Sequence, residues 1–164
     1  MKALFVGRFQ PFHKGHFKVI KYILKKYDEI VIGIGSSQYK NTKENPFSFN
    51  ERKKMIVDTL ENSNIKKYKI INIPDIHNPP RWVEHVLSIY SDFDVVVTNN
   101  DFTKKLFEKK GYKVVDTPIF EEELFSGRNI RKKIKNDGKW KKLVPEETLK
   151  IIEKINGIKR IKNL

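Results

Sequence analysis

The sequence predicts an α/β fold: a parallel five-stranded sheet with helices on both faces and further helices at its C-terminal end. Three observations predict it. Short apolar or β-branched runs alternate with helix-period segments at the spacing of βαβ units, which demands parallel pairing. No internal repeat or low-complexity segment breaks the alternation, and 164 residues suit one domain, which buries roughly 70% of its unfolded surface. The polar clusters also follow the strands, so they collect at the edge where open α/β sheets bind ligands.

Ala3 to Val6 is an apolar run that reads as the first strand, and Gly7 ends it where the backbone must turn or admit a close neighbour. The period of Phe17, Ile20, Leu24 and Tyr27 starts a helix near Lys14. Glu29 to Ile34 is the second strand, closed by Gly33-Ile34-Gly35-Ser36-Ser37. With no third glycine and no helix starting at once, this Gly-x-Gly is not a dinucleotide fingerprint. Residues 38–47 are polar and read as a loop able to close over a ligand. Ser48-Phe49-Asn50-Glu51 is a capping box for a helix whose Met55, Ile56, Thr59 and Leu60 face inward. Tyr68 to Ile73 is the third strand, and Pro79-Pro80 stiffens the turn before a helix through Val83, Val86, Leu87 and Tyr90. Asp94 to Val97 is the fourth strand, followed by a helix that stops at Gly111, and Val114-Val115 is a short fifth. Ser126 opens another helix. Pro145 begins the last, with Leu149, Ile152 and Ile155 on one face and Gly157 after it.

Chemistry gathers after the first strand. Arg8, His13, Lys14 and His16 follow within ten positions, and the two histidines, three apart at a helix N-terminus, share one face. Free amide N–H groups, the positive end of the helix dipole and these side chains make a polyphosphate site. Metal ligation by the pair finds no third ligand, because the chain has no Cys and no Glu nearby. A pair of ordinary half-buried histidines leaves the strand, Gly and Arg just upstream without a reason.

The stretch Gly7-Arg8-Phe9-Gln10-Pro11-Phe12-His13-Lys14-Gly15-His16 resembles the signature of the nucleotidyltransferase superfamily marked by His-x-Gly-His. Its Arg-Phe-Gln-Pro-Phe-His wording is most similar to the archaeal nicotinamide mononucleotide adenylyltransferases. The resemblance runs over nearly the whole chain. It implies a single Rossmann-like nucleotidyltransferase domain over 1–164, with a core of 1–125 and a C-terminal helical segment, 126–164, that carries a second phosphate motif.

That second motif begins at Ser126, a natural N-cap, with Arg128 and Arg131 on one helix face and Ile130 and Ile134 toward the core. Lys132, Lys133 and Lys135 follow, so a merely basic surface helix is the competing reading. Ser126-Gly127-x-x-Ile130-Arg131 is similar to the superfamily's Ser-x-Thr-x-x-Arg. Arg128 stands where that family has Thr, exchanging a hydroxyl for a longer, charged group.

No Cys and no Ser or Thr beside an evident base supplies a covalent nucleophile, so positive charge and positioning must carry the reaction. With the resemblance, this implies in-line attack of a phosphate on the α-phosphorus of ATP, with Mg²⁺ bridging phosphate oxygens. His16 is assigned to the α-phosphate, His13 and Arg8 to the phosphate chain, Ser126, Arg128 and Arg131 to its far end, and the backbone of Val6, Gly7 and Phe9 to the nucleotide. Ser36, Asp75, Asn78 and Trp82 are assigned to the acceptor, nicotinamide mononucleotide; core packing is the other reading of Trp82. Thr98-Asn99-Asn100-Asp101 replaces the family's Ser-Gly-Asn-Pro, which leaves flavin mononucleotide, pantetheine phosphate and glycerol phosphate as alternative acceptors.

The formal net charge of +14 is that of many nucleic-acid binders, but it is scattered over helix ends rather than interleaved with aromatic platforms. An RNA-binding module is therefore the weaker reading, and no nucleic-acid partner is expected. A field of this sign steers phosphorylated substrates and weakens with salt. No apolar run approaches the ~18 residues of a membrane span, and the N-terminus reads as a strand, so a cytoplasmic location is expected. The resemblance implies a homo-oligomer.

Overall fold

Alternation of side chains along the strands decides which helices cover which face. The computed structural model, which describes residues 1–118 and 120–164, has strands β1 (Lys2–Gly7), β2 (Glu29–Gly35), β3 (Tyr68–Ile73), β4 (Val95–Val97) and β5 (Lys113–Val115). They form one sheet in the order β3-β2-β1-β4-β5, every pair parallel. Ala3, Ile30, Ile32, Ile34, Val95 and Val97 point to one side, and Leu4, Val31, Ile71, Ile73 and Val96 to the other. Both faces are buried, as a parallel sheet requires.

The first face is covered by α1 (Lys14–Lys26), α2 (Phe49–Asn62), α5 (Gly127–Lys135), α6 (Glu146–Lys154) and α7 (Gly157–Lys162), which contribute Ile20, Met55, Ile130, Ile152 and Ile161 among others. Two helices cover the second: α3 (Trp82–Ile89), entered through a 3₁₀ turn at Pro79–Arg81, and α4 (Asp101–Lys109), with Val83, Val86 and Phe107. Local chemistry sets their starts. Ser48 Oγ accepts from the Glu51 N–H (3.2 Å) while Glu51 Oε1 accepts from the Ser48 N–H (2.9 Å), the capping box that the sequence predicts. Ser126 Oγ likewise accepts from the Asn129 N–H at 3.1 Å.

One element corrects the sequence reading. Gly157 does not follow the last helix. Asn156 takes the left-handed conformation (φ 54°) and Gly157 begins α7, lying so close to α6 that a Cβ there would stand 3.0 Å from Ile152 Cγ2.

Strand order positions the site. Connections from β1 through β3 run outward one way, and β3 then crosses back to β4 on the other side of β1. β1 pairs with β2 through Gly7 but with β4 only at Ala3 and Leu4, so the carboxyl ends of β1 and β4 part and open a crevice at the switch in strand order.

Candidate active site

Residues at the start of α1 are held by a reciprocal cap. The His16 N–H donates to His13 Nδ1 (3.2 Å) and the His13 N–H donates to His16 Nδ1 (3.1 Å), with the rings stacked 3.5 Å apart. Since each Nδ1 accepts, each neutral ring carries its proton on Nε2, and Nε2–H is the donor left for a ligand. Phe9 meets His16 edge-on at 4.7 Å and Phe12 stacks on it at 5.7 Å. Burial pushes His13 down to about 3; burial, then the neighbouring His13, holds His16 well below its ordinary value. At neutral pH the pair is thus two neutral donors. Gly15 between them is obligatory, as its Cβ would lie 2.8 Å from Phe125 Cβ and 2.9 Å from His13 Cε1.

His13 and His16 line a cavity of about 710 Å³ together with Arg8, Ser126 and Gly127. The first residues of α1 and α5 therefore meet at one cavity, each with backbone N–H groups to offer. Asn99 and Thr117 complete the far wall, where the Asn99 side chain and the Thr117 backbone bond reciprocally (3.0 and 2.7 Å) and join the ends of β4 and β5. Val6, Gly7 and Phe9, assigned to the nucleotide, lie outside this lining. Phe9 is buried with a left-handed backbone (φ 55°), and Gly7 leaves the space its ring fills, since a Cβ there would come within 2.9 Å of Phe9 Cζ.

Arg131, assigned to the far end of the phosphate chain, lies outside this lining. It is buried, its Nη1 donates to the Gln10 carbonyl at 2.8 Å, and its Nη2 lies 3.4 Å from Glu44 Oε2. Arg131, Arg128 and Glu44 line a neighbouring pocket of about 410 Å³ with Lys43, Lys132 and Lys135. Gly127 separates the two spaces, where a Cβ would press on Gln10 O and Arg131 Nη1, both at 2.9 Å.

The residues that the sequence assigns to the acceptor gather elsewhere on the same edge. Asp75, Asn78 and Trp82 line a pocket of about 280 Å³ with Phe102, an exposed aromatic. Trp82 does both things the sequence allowed: it faces this pocket and packs edge-on against Phe107 of the second core at 5.7 Å. Ser36 is not in the lining but holds it, Ser36 Oγ donating to Asp75 Oδ2 at 2.8 Å. Among the described residues, no group of three or more His, Cys, Asp or Glu side chains could cage a metal ion.

Residues 4–133 match the cytidylyltransferase-like family. The chain belongs to that family. Across its full length it is 42% identical to the nicotinamide-nucleotide adenylyltransferase of Picrophilus torridus and 44% identical to that of Archaeoglobus fulgidus, covering 97% of each. In fold it is similar to a bifunctional NMN adenylyltransferase/ADP ribose pyrophosphatase of Francisella tularensis, solved with AMP and a manganese ion (TM-score 0.74, 22% identity). The alignment covers 95% of this chain and 53% of that one, about half its length.

Three residues of this cytidylyltransferase-like site escape the sequence reading. Gln38 holds Asp75 by both backbone groups, its Oε1 accepting from the Asp75 N–H (2.8 Å) and its Nε2 donating to the Asp75 carbonyl (2.9 Å). Glu44 faces Arg131 in the neighbouring pocket. Arg52 is fully buried beneath Arg8 and Ser36. Gln38 and Glu44 lie in the loop that the sequence marks as able to close over a ligand, and Arg52 stands three and four positions before Met55 and Ile56, in the inward stripe of α2.

Proposed function

We propose that the protein transfers AMP from ATP to nicotinamide mononucleotide, giving NAD and pyrophosphate by direct in-line displacement. The observation that carries this is the convergence of two helix N-termini and Arg8 on one cavity, with an aromatic-walled pocket holding Asp75 on the same sheet edge.

The α-phosphate of ATP lies at the start of α1. A phosphate oxygen of the acceptor, already anionic at neutral pH, forms the new P–O bond, and the bridging bond to the β-phosphate breaks with its electron pair leaving on pyrophosphate. No protein base is needed. The Nε2–H groups of His13 and His16 donate to the oxygens on which charge grows, and because the rings are neutral they do so without surrendering a proton. Arg8 and the N–H groups at Gly127 receive the phosphate chain, with Arg131 and Arg128 beyond them. Ser36 and Gln38 set the Asp75 carboxylate to meet acceptor hydroxyl or amide groups, and Trp82 offers a face for a flat ring. Magnesium would enter with ATP and offset the phosphate charge; among the described residues no cluster of carboxylates is set to hold it.

The proposal includes assembly as a homo-oligomer, which the resemblance implies, and work in the cytoplasm; no described helix is long and apolar enough to cross a membrane. The test is product formation by purified protein supplied with ATP and a panel of phosphorylated acceptors. Nicotinamide mononucleotide should win by the largest kcat/KM, and only with a divalent metal present. Full activity in excess chelator, or a better rate with flavin mononucleotide or pantetheine phosphate, defeats the reading.

A further inference from the structure

Carbonyl groups at the carboxyl ends of β1 and β2 leave the ladder just where the site begins, and buried carbonyls need donors. One side chain supplies them. Arg52 of α2 is fully buried; its Nη1 donates to the carbonyls of Arg8 (2.8 Å) and Gly35 (2.9 Å), its Nη2 to that of Ser36 (3.3 Å), and its Nε to that of Ser48 (3.2 Å). Among the described residues no carboxylate pairs with it. Glu51, the next residue in the chain, turns instead to Arg160 (2.6 and 2.9 Å). Burial, and then Arg8, push Arg52 down to about 10, which still leaves it charged at neutral pH.

The segments it ties together belong to different halves of the site. Arg8 lines the phosphate cavity. Ser36, held with a left-handed backbone (φ 48°), donates a hydrogen bond from its hydroxyl to Asp75, which lines the aromatic pocket. We propose that Arg52 is a positioning residue: its guanidinium sets the spacing between the nucleotide-donor half and the acceptor half, so that the attacking oxygen stands in line with the α-phosphorus. The inference rests on the transfer reading above. A guanidinium suits the task because its donors form a rigid fork that reaches several carbonyls at once, whereas an ammonium is a point charge on a flexible stem.

The experiment compares wild type with Arg52→Lys and Arg52→Gln in steady-state assays with ATP and nicotinamide mononucleotide, alongside thermal melting and near-ultraviolet circular dichroism. Each half should still bind its own substrate, so both KM values should stay within about threefold while kcat per folded molecule falls about 10- to 100-fold, the loss that follows a misplacement of order 1 Å. A wild-type kcat in the folded variants overturns the proposal. So does a rise in both KM values with kcat per folded molecule unchanged, or failure of both variants to fold, since Arg52 would then be structural. Wild type that makes no NAD refutes the transfer reading instead, which keeps the two failures apart.

Discussion

The Glu44 carboxylate stands 3.4 Å from Arg131 Nη2, so the guanidinium proposed for the far end of the phosphate chain already faces an anion. Arg131 is almost wholly enclosed while the Glu44 side chain is 59% exposed, which leaves the carboxylate free to swing away and the guanidinium fixed by Gln10. Glu44→Gln removes the competitor and should lower the KM for ATP, and the inhibition constant of pyrophosphate, by about two- to fivefold, the range set by roughly 0.5–1 kcal/mol for an exposed pair. An unchanged inhibition constant for pyrophosphate would show that the phosphate chain does not reach Arg131.

Stability should fall in mild acid. His13 is held at about 3 when folded and returns to 6.5 when unfolded, and His16 shifts the same way. Above pH 6.5 both states are neutral and stability does not depend on these rings. Between 6.5 and about 3 the unfolded chain takes up a proton at His13 that the folded chain refuses, which costs about 2 kcal/mol by pH 5, and His16 acts in the same direction. His13→Asn keeps an N-cap and deletes one titrating ring, and it should reduce the loss of melting temperature between pH 7.5 and 5. A melting temperature that is flat over this range in wild type would contradict the neutral pair.

His16→Ala deletes a preformed donor and should reduce kcat by about two to three orders of magnitude, the roughly 2.7–4 kcal/mol of one such group, with little change in KM for the acceptor. It also strips the His13 N–H of its partner. A near-normal turnover would remove the α1 start from the chemistry.

Trp82→Ala should raise the KM for nicotinamide mononucleotide about 5- to 150-fold, by analogy with the 1–3 kcal/mol of a base stacked on an aromatic ring, while KM for ATP holds. Because the ring also packs on Phe107, the melting temperature should drop as well. Kinetics well below that temperature read the folded fraction, and an unaltered KM there returns Trp82 to the core.

What could be read from the sequence was what neighbours along the chain decide. Ser48 with Glu51 and Ser126 with Asn129 cap their helices across three residues, and the alternation at Ile30 to Ile34 names the faces of β2 without help from elsewhere. What escaped depends on contacts across the fold. Arg131 finds Gln10 over 121 positions and Glu44 over 87, so its helix face could not reveal either. His13 and His16 look able to take up charge until Phe9, which turns back through a left-handed residue, and Phe12 close over His16. Arg52 escapes notice because a buried arginine without a carboxylate is seldom worth assuming. Gly157 reads as a stop because glycine usually follows helices, and here Asn156 supplies the left-handed residue instead.

Where a tag is attached should matter more than the distance suggests. Arg160 on α7 donates to the Pro46 carbonyl (3.0 Å), grips Glu51 of the capping box, and lies over the Phe47 ring, so the last helix fastens the loop that carries Lys43 and Glu44 to the mouth of the basic pocket. A bulky fusion that pries α7 loose would be felt first as altered handling of the phosphate chain. An assay built on a C-terminal label would report the label's mechanics along with the protein's catalysis, and an N-terminal one, behind the opposite edge of the sheet, would not.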